Sequence, residues 1–417
     1  MALKFKDILQ KLSFIKDYSS LVVPVIIVAI AVAVFVLTQL MSSNLREQVE
    51  KESISQRGNK INSLIKNAVP NNQWEYEQQY QDAYAKDANQ IMLLVKQTTE
   101  RELLSYKIFP EPNDPSALIF VEFGQRFRAG TEQLVTSIKG GECPTETELS
   151  KNLSTSSTST WGSRTGQRLN EVDSTIKEEL CQAKAKSVSV YCNPTALAGY
   201  KFWEDYKYYD VGKEESVRQC WYWQLSYWIM EDVFNTIAAM NSTSENVLTS
   251  PVKRLLSIDF ASGRQSSTGP RAGTEGEPCY VLSHENAMVE PYTQRYCNDD
   301  IDIVHFRLAV LVSAKAVLPF MAELCSEKEH EFSGFSGQGP KQTFRHNQIT
   351  ILESNVRSIN RDSAEHDLYR YGDDAVVELD LTCEYLFNKI GYEEIKPESV
   401  KKELAATGSA QASQRGY

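Results

Sequence analysis

The stretch AVVELDLTCEYLF, residues 375–387, alternates apolar and polar side chains along its length. Such alternation is typical of an antiparallel strand with one buried face and one solvated face. The buried face would carry Val377, Leu379, Leu381, Cys383 and Tyr385, and the solvated face Glu378, Asp380, Thr382 and Glu384. A strand of this kind needs neighbours, and the preceding residues supply them.

The patterns before this strand predict a repeated unit. Strands are expected at 251–260, 302–312 and 347–359, and helices at 214–241 and 314–327. The resulting order is helix, strand, strand, helix, strand, strand. Four antiparallel strands with two helices on one face make an α+β domain. Its connectivity is that of a circularly permuted ferredoxin-like fold, which we predict for residues 211–395.

A long apolar run near the N-terminus predicts a membrane anchor. LVVPVIIVAIAVAVFVLTQLM, residues 21–41, contains no charge and would span about 31 Å as a helix. A cleavable signal peptide has a shorter apolar core. The anchor side chains would include Leu21, Val25, Ile30, Phe35 and Leu40.

The charges that precede this run predict its orientation. Lys4, Lys6, Lys11 and Lys16 favour a cytoplasmic N-terminal segment, residues 1–20. The bulk of the chain would then lie outside the inner (cytoplasmic) membrane, in the periplasm or its equivalent, as a single-pass protein.

The residues between anchor and domain are predicted to be mainly helical. Residues 42–109 form a helical or coiled-coil stalk, whose second helix is expected to run from Gln73 to Lys107. Residues 110–210 form a helical insert with a Ser/Thr-rich linker near 151–166. Its helices are expected at 117–138, 169–186 and 196–208. The polar tail 396–417 is predicted to be disordered.

Charge and composition exclude several functional classes. The 417-residue chain has a net charge of -11, which argues against a nucleic-acid-binding surface. No histidine pair has metal-ligand spacing, and no motif indicates catalysis. We therefore expect no enzyme activity, no metal, no cofactor and no small-molecule substrate.

The cysteines and the aromatic residues give the remaining candidates. All eight cysteines follow the apolar run, where disulfides are permitted, and Cys279 with Cys297 is the candidate pair. Four aromatic residues on the helix 214–241 form a candidate interface: Trp221, Trp223, Tyr227 and Trp228. The alternative is a helix buried on both sides by the insert. His305 and Arg307 are expected on a solvated sheet face, paired with Glu378 or Asp380.

Three segments resemble a known family. EDVFNTIAAMN (231–241), PVKRLLSIDF (251–260) and VVELDLTCEYLFNKIGYE (376–393) are similar to PilO/GspM-like bitopic inner-membrane proteins of type IV pilus and type II secretion platforms. The likeness is to a pilus-assembly-like variant of the Planctomycetes type.

The resemblance implies a structural role. It implies a scaffold in the lipid membrane that pairs with a PilN/GspL-like bitopic protein or with a second copy of itself. The alternative is an extracytoplasmic ligand-binding or sensory module, whose loops 261–278 and 332–341 would line the site.

Overall fold

The computed structural model describes residues 19–66, 71–113, 116–151, 166–204, 212–260 and 276–405. The chain divides into two compact units, Met1–Asp87 and Ala88–Tyr417. Three predicted segments lie largely outside the described residues: the cytoplasmic segment 1–20, the linker near 151–166 and the loop 261–278.

The first unit contains a long helix, α1, over Ser19–Lys66, whose N-terminal half is apolar. Its segment Ile27–Glu52 is long and apolar enough to be a signal anchor or membrane span, and none of it is buried. Of the predicted anchor residues, Ile30, Phe35 and Leu40 are each more than half exposed. The side chains of Leu21 and Val25 lie outside the described residues.

The second helix is shorter than predicted. Helix α2 covers Asn71–Gln97 rather than continuing to Lys107. After it, the Thr99 hydroxyl donates to the Asn388 carbonyl oxygen at 2.7 Å, and the chain runs on without regular structure. This irregular segment buries Leu103, Ile108 and Phe109, and that packing overrides local helix propensity.

The second unit is built on a six-stranded mixed sheet in the order β1-β2-β3-β4-β8-β7. The short strands β1 (Gly140–Gly141) and β2 (Val190–Tyr191) pair in parallel, and β2 is parallel to β3 (Val252–Phe260). Two antiparallel pairings then join β3 to β4 (Ile301–Ser313) and β4 to β8 (Val376–Asn388). The outermost strand is β7, Ile349–Ser358, antiparallel to β8.

One long helix packs on this sheet and on two further helices. Helix α5, Lys213–Asn241, contacts β3, helix α3 (Leu118–Ser137) and helix α6 (Val317–Leu324). The core lies between α5 and the sheet, where Leu308 opposes Leu381 and Val310 opposes Leu379. The apolar row predicted on β8 is therefore largely correct, with Val377 only partly buried.

The opposite face of the sheet is less solvated than predicted. Glu384 is fully buried and Asp380 is nearly so. Arg295 and Thr293 bond to the Glu384 carboxylate at 2.8 and 2.9 Å, so the segment before β4 covers this end of the sheet. A buried carboxylate is tolerated there because both oxygens are paired.

The predicted insert differs in detail from the structure. Helix α3 and helix α4 (Gly166–Ser187) match two of its predicted helices, but the region also supplies β1 and β2. The helix predicted over 196–208 is replaced, within the described residues, by two short 3₁₀ turns at Pro194–Ala196 and Phe202–Glu204. Asn193 starts the first turn by accepting from Thr195 N at 2.9 Å, which favours a turn over a helix.

A hairpin replaces the connection expected after the helix predicted over 314–327. Helix α6 ends at Leu324, and β5 (Lys328–Phe332) pairs with β6 (Gln342–His346) as a separate two-stranded sheet. The ordered chain also continues past the boundary predicted at 396, with Lys396 and Val400 buried and 398–405 helical.

Candidate functional site

Three of the four aromatic residues predicted as an interface are buried inside the chain, so the prediction is wrong for these three. Trp221, Trp223 and Trp228 are at most 1% exposed, and Tyr227 is half-buried. Trp223 stacks on Phe202 of the preceding segment, with ring centroids 5.3 Å apart. The alternative interpretation, a helix buried on both sides, is correct for α5.

The candidate disulfide is also absent. Cys279 and Cys297 are both free thiols, as are the other six cysteines. Cys297 Sγ instead accepts from Ile303 N at 3.2 Å, which uses the thiol to hold the start of β4. Burial raises the pKa of Cys297 to about 12, which disfavours the reactive thiolate at neutral pH.

A buried polar network joins α5, β8 and the β5–β6 hairpin. Asp232 on α5 accepts two bonds from the Arg101 guanidinium, at 2.9 and 3.1 Å, and one from the Tyr385 hydroxyl at 2.6 Å. Arg101 also donates to Glu231 at 2.6 Å. Its guanidinium lies 2% exposed, so these bonds replace its lost hydration.

Two histidines extend this network to the hairpin. His346 Nε2 lies 2.8 Å from Asp232 Oδ2, and its Nδ1 lies 2.9 Å from Nδ1 of His330. His330 Nε2 lies 3.0 Å from the carbonyl oxygen of Glu100. We call these residues, from Arg101 through Asp232 and His346 to His330, the relay network.

Proton counting describes the contacts of the two histidines. Both ends of the chain of contacts, the Asp232 carboxylate and the Glu100 carbonyl, are acceptors. The three contacts therefore need three protons on four ring nitrogens, one more than two neutral imidazoles carry.

The buried environment shifts the pKa values of Asp232 and His330. Burial alone would raise the pKa of Asp232, but Arg101 and His346 hold it well below its usual range. Burial, followed by the charges of Arg101 and His346, lowers the pKa of His330 to about 4. His330 is therefore neutral at pH 7.

A groove of about 550 Å³ opens beside the relay network. Its walls come from the segment after α2, from α5 and from the hairpin, and they carry four glutamates against one arginine. The lining residues are Arg101, Glu102, Leu103, Leu104, Tyr227, Glu231, Glu329, His330, Glu331 and Thr343. Among the described residues, no group of histidine, cysteine or carboxylate side chains has a metal-binding arrangement.

The predicted pairing on the other sheet face is partly correct. Arg307 bonds to Asp380, as expected, and Arg357 on β7 reaches the same carboxylate at 3.2 Å. His305 was expected in solvent but is 1% exposed, and its Nδ1 accepts from Met288 N at 3.3 Å. Burial lowers the pKa of His305 to about 4.

The outer edge of β7 is uncovered over its second half. Residues 353–358 are all exposed, and Val356 retains half of its surface. A register irregularity between Ile351 and Glu353 separates this part from the first half, where the Tyr292 hydroxyl caps the Ile351 carbonyl at 3.0 Å. Within the part of the chain that the structure describes, Glu353 forms no ion pair.

Comparisons with known proteins add little. No protein-family model matches the chain, and no curated protein matches it. A crystal structure from Akkermansia muciniphila aligns with 66% of this chain and 96% of its own, at 8% identity and a TM-score of 0.22. A likeness of this size assigns neither fold nor function.

Sequence patterns missed the relay network for identifiable reasons. Arg101 lay in a predicted helix, and His330 and His346 lay in a predicted connection. The one usable signal was Asp232, a charge in the middle of the apolar run of α5. A buried charge needs a partner, but its partner here is 131 residues away in sequence.

Proposed function

We propose that this protein is a membrane-anchored scaffold that pairs with a similar subunit in a type IV pilus or type II secretion-like assembly platform. The observation that carries the proposal is α1. Its segment Ile27–Glu52 leaves apolar side chains uncovered, which water penalises and lipid does not. We further propose that the N-terminus is cytoplasmic and that residues 88–417 lie outside the inner membrane.

The arrangement of the sheet supports the comparison with PilO and GspM. The antiparallel strands occur as α5-β3-β4-α6-β7-β8, with the spatial order β3-β4-β8-β7. This is the order that a ferredoxin-like sheet takes when its first strand is moved to the end of the chain. We therefore propose a circularly permuted ferredoxin-like unit, to which β1, β2 and the β5–β6 hairpin are additions.

The interior of the domain also favours a structural role. The relay network joins three separate parts of the chain through hydrogen bonds, although Nε of Arg101 has no partner. Buried networks of this kind fix one arrangement of the elements. A PilN/GspL-like bitopic protein, or a second copy, would then meet a rigid domain surface.

A ligand-binding or sensory module is the second candidate, and the groove favours it. The groove is of the size of small-ligand sites and has His330 and Arg101 in its wall. It is lined by polar groups more than by apolar ones, whereas ligand pockets are predominantly apolar. The scaffold is therefore the better-supported function.

Purification of the full-length protein from its native membranes in mild detergent tests the proposal. Co-purifying proteins would be identified by mass spectrometry, with an anchor variant, Ile30→Lys/Val34→Lys, as the control. The scaffold predicts a second bitopic protein together with an actin-like protein or an assembly ATPase. Recovery of this chain, as a monomer or a dimer, without any other platform protein would contradict the scaffold and favour the ligand-binding module.

A further inference from the structure

The exposed half of β7 carries a charge pattern that complements itself. The residues run Glu353, Ser354, Asn355, Val356 and Arg357. In an antiparallel pair of identical strands centred on Asn355, each Glu353 faces an Arg357, and each Ser354 faces a Val356. Opposite charges directly across an antiparallel ladder stabilise it, and like charges destabilise it.

We propose that β7 pairs edge to edge with β7 of a second copy of this chain, in antiparallel register about Asn355. The proposal deepens the proposed function by naming a partner and the strand that binds it. The two-fold symmetry makes the contact isologous, so it closes at a dimer.

The local structure limits where this pairing can occur. The irregularity near Ile351 and the Tyr292 hydroxyl occupy the first half of the strand, which leaves only residues 353–358 available. Proteins commonly protect exposed edges with charges of one sign, which repel an identical strand. Here the two charges have opposite signs and lie equally far from Asn355, so they select one register.

The side chains are already placed for this contact. In β7, Glu353, Asn355 and Arg357 oppose Thr382, Asp380 and Glu378 of β8, so the three lie on one face of the sheet. Arg357 is half exposed while it bonds to Asp380, which leaves guanidinium donors for a second carboxylate. Glu353 would supply that carboxylate from the partner.

The interface would be small, and the membrane anchor compensates for this. About five residues on each side bury less than a typical stable dimer interface. Two copies held in one membrane meet at a high effective concentration, which raises the population of a weak pair.

Cysteine cross-linking in the full-length, membrane-bound protein tests the register. In Asn355→Cys the paired Cα atoms would lie about 5 Å apart, within the reach of a disulfide. The control is Ser358→Cys on the same exposed edge, whose paired Cα atoms would lie about 20 Å apart. We expect mild oxidation to yield at least tenfold more cross-linked dimer from Asn355→Cys than from Ser358→Cys. Equal yields, or no dimer from either variant, would overturn the proposal.

Charge exchange tests the same contact without a disulfide. In the Asn355→Cys background, Glu353→Arg or Arg357→Glu places like charges opposite each other and should lower the dimer yield several-fold. The double variant Glu353→Arg/Arg357→Glu restores opposite signs and should restore the yield. A double variant that cross-links no better than either single variant would contradict the register. If the β7 cross-link does not form but platform proteins still co-purify with this chain, the β7 proposal is wrong and the scaffold proposal stands. The two proposals therefore fail separately.

Discussion

At the scale of single residues, the relay network is a buried and closely paired feature of the domain. Arg101 and Asp232 are nearly inaccessible and are paired by two hydrogen bonds. Buried ion pairs add little stability over an apolar substitute, but removal of one partner leaves an uncompensated charge. The network should therefore tolerate single substitutions poorly.

Asp232→Asn is the direct test of this constraint. The substitution leaves Arg101 with only the partly exposed Glu231 as a counter-charge. We expect a loss of about 3–5 kcal/mol in the free energy of unfolding, measured by urea denaturation of the full-length protein in detergent. Glu231→Gln is the matched control and should cost about 1 kcal/mol, because solvent screens that pair. Equal effects would show that Asp232 is not the centre of the network.

The buried histidines predict a dependence of stability on pH. The pKa values of His305 and His330 are both lowered to about 4, below the ordinary value of about 6.5. Between these values the unfolded chain binds protons that the folded chain does not, so stability falls as the pH falls from about 6.5 to 4.

A titration of unfolding free energy checks this sign. Each histidine should contribute a loss on the order of 2 kcal/mol across that window, after allowance for solvent screening. His305→Gln should flatten the decline relative to the unsubstituted protein, since glutamine does not titrate. Stability that is constant or rises on acidification would contradict the burial of these neutral side chains.

At the scale of elements, helix α5 organises the domain, and one glycine permits its packing. Gly199 has a φ of +77°, and a Cβ placed there would overlap the ring of Trp223. Both the backbone conformation and the close approach therefore require glycine.

Gly199→Ala separates these two requirements when compared with Gly334→Ala. Gly334 has a similar φ of +83°, but a Cβ there would contact nothing within 4 Å. We expect Gly334→Ala to cost about 1 kcal/mol for backbone strain and Gly199→Ala about 3 kcal/mol or more, since Trp223 must also move. Denaturant midpoints for the two variants give the comparison, and equal midpoints would show that Trp223 does not pack there.

Apolar alternation in the sequence predicted some strands and missed others. Strands β3, β4 and β8 were predicted within one or two residues, because their apolar residues alternate and their core face is continuous. The β5 strand, KEHEF, also alternates, but two of its buried residues are Lys328 and His330. A strand whose buried residues are polar does not show the apolar alternation that predicts strands. Only the long-range partners of these side chains explain their burial.

The aromatic residues of α5 illustrate the same limit. Their spacing around the helix indicated that more than one face was in contact with something. It did not indicate whether the second face met a partner or the chain itself. The second face meets the chain itself, because the Trp228 indole donates to the carbonyl oxygen of Glu102, in the irregular segment after α2, at 2.8 Å.

At the scale of the whole molecule, the proposed scaffold depends on the membrane anchor. The scaffold, the orientation and the raised local concentration of β7 all require that α1 spans the inner membrane. Lysine substitutions at Ile30 and Val34 would each oppose insertion by about 3 kcal/mol.

Protease accessibility in intact spheroplasts, combined with alkaline carbonate extraction of their membranes, tests this anchor most directly. We predict that the protein stays in the carbonate pellet and that external protease digests residues 88–417 while a cytoplasmic marker survives. The variant Ile30→Lys/Val34→Lys should be released by carbonate. Release of the unsubstituted protein by carbonate, or protection of residues 88–417 until the membrane is broken, would contradict the account.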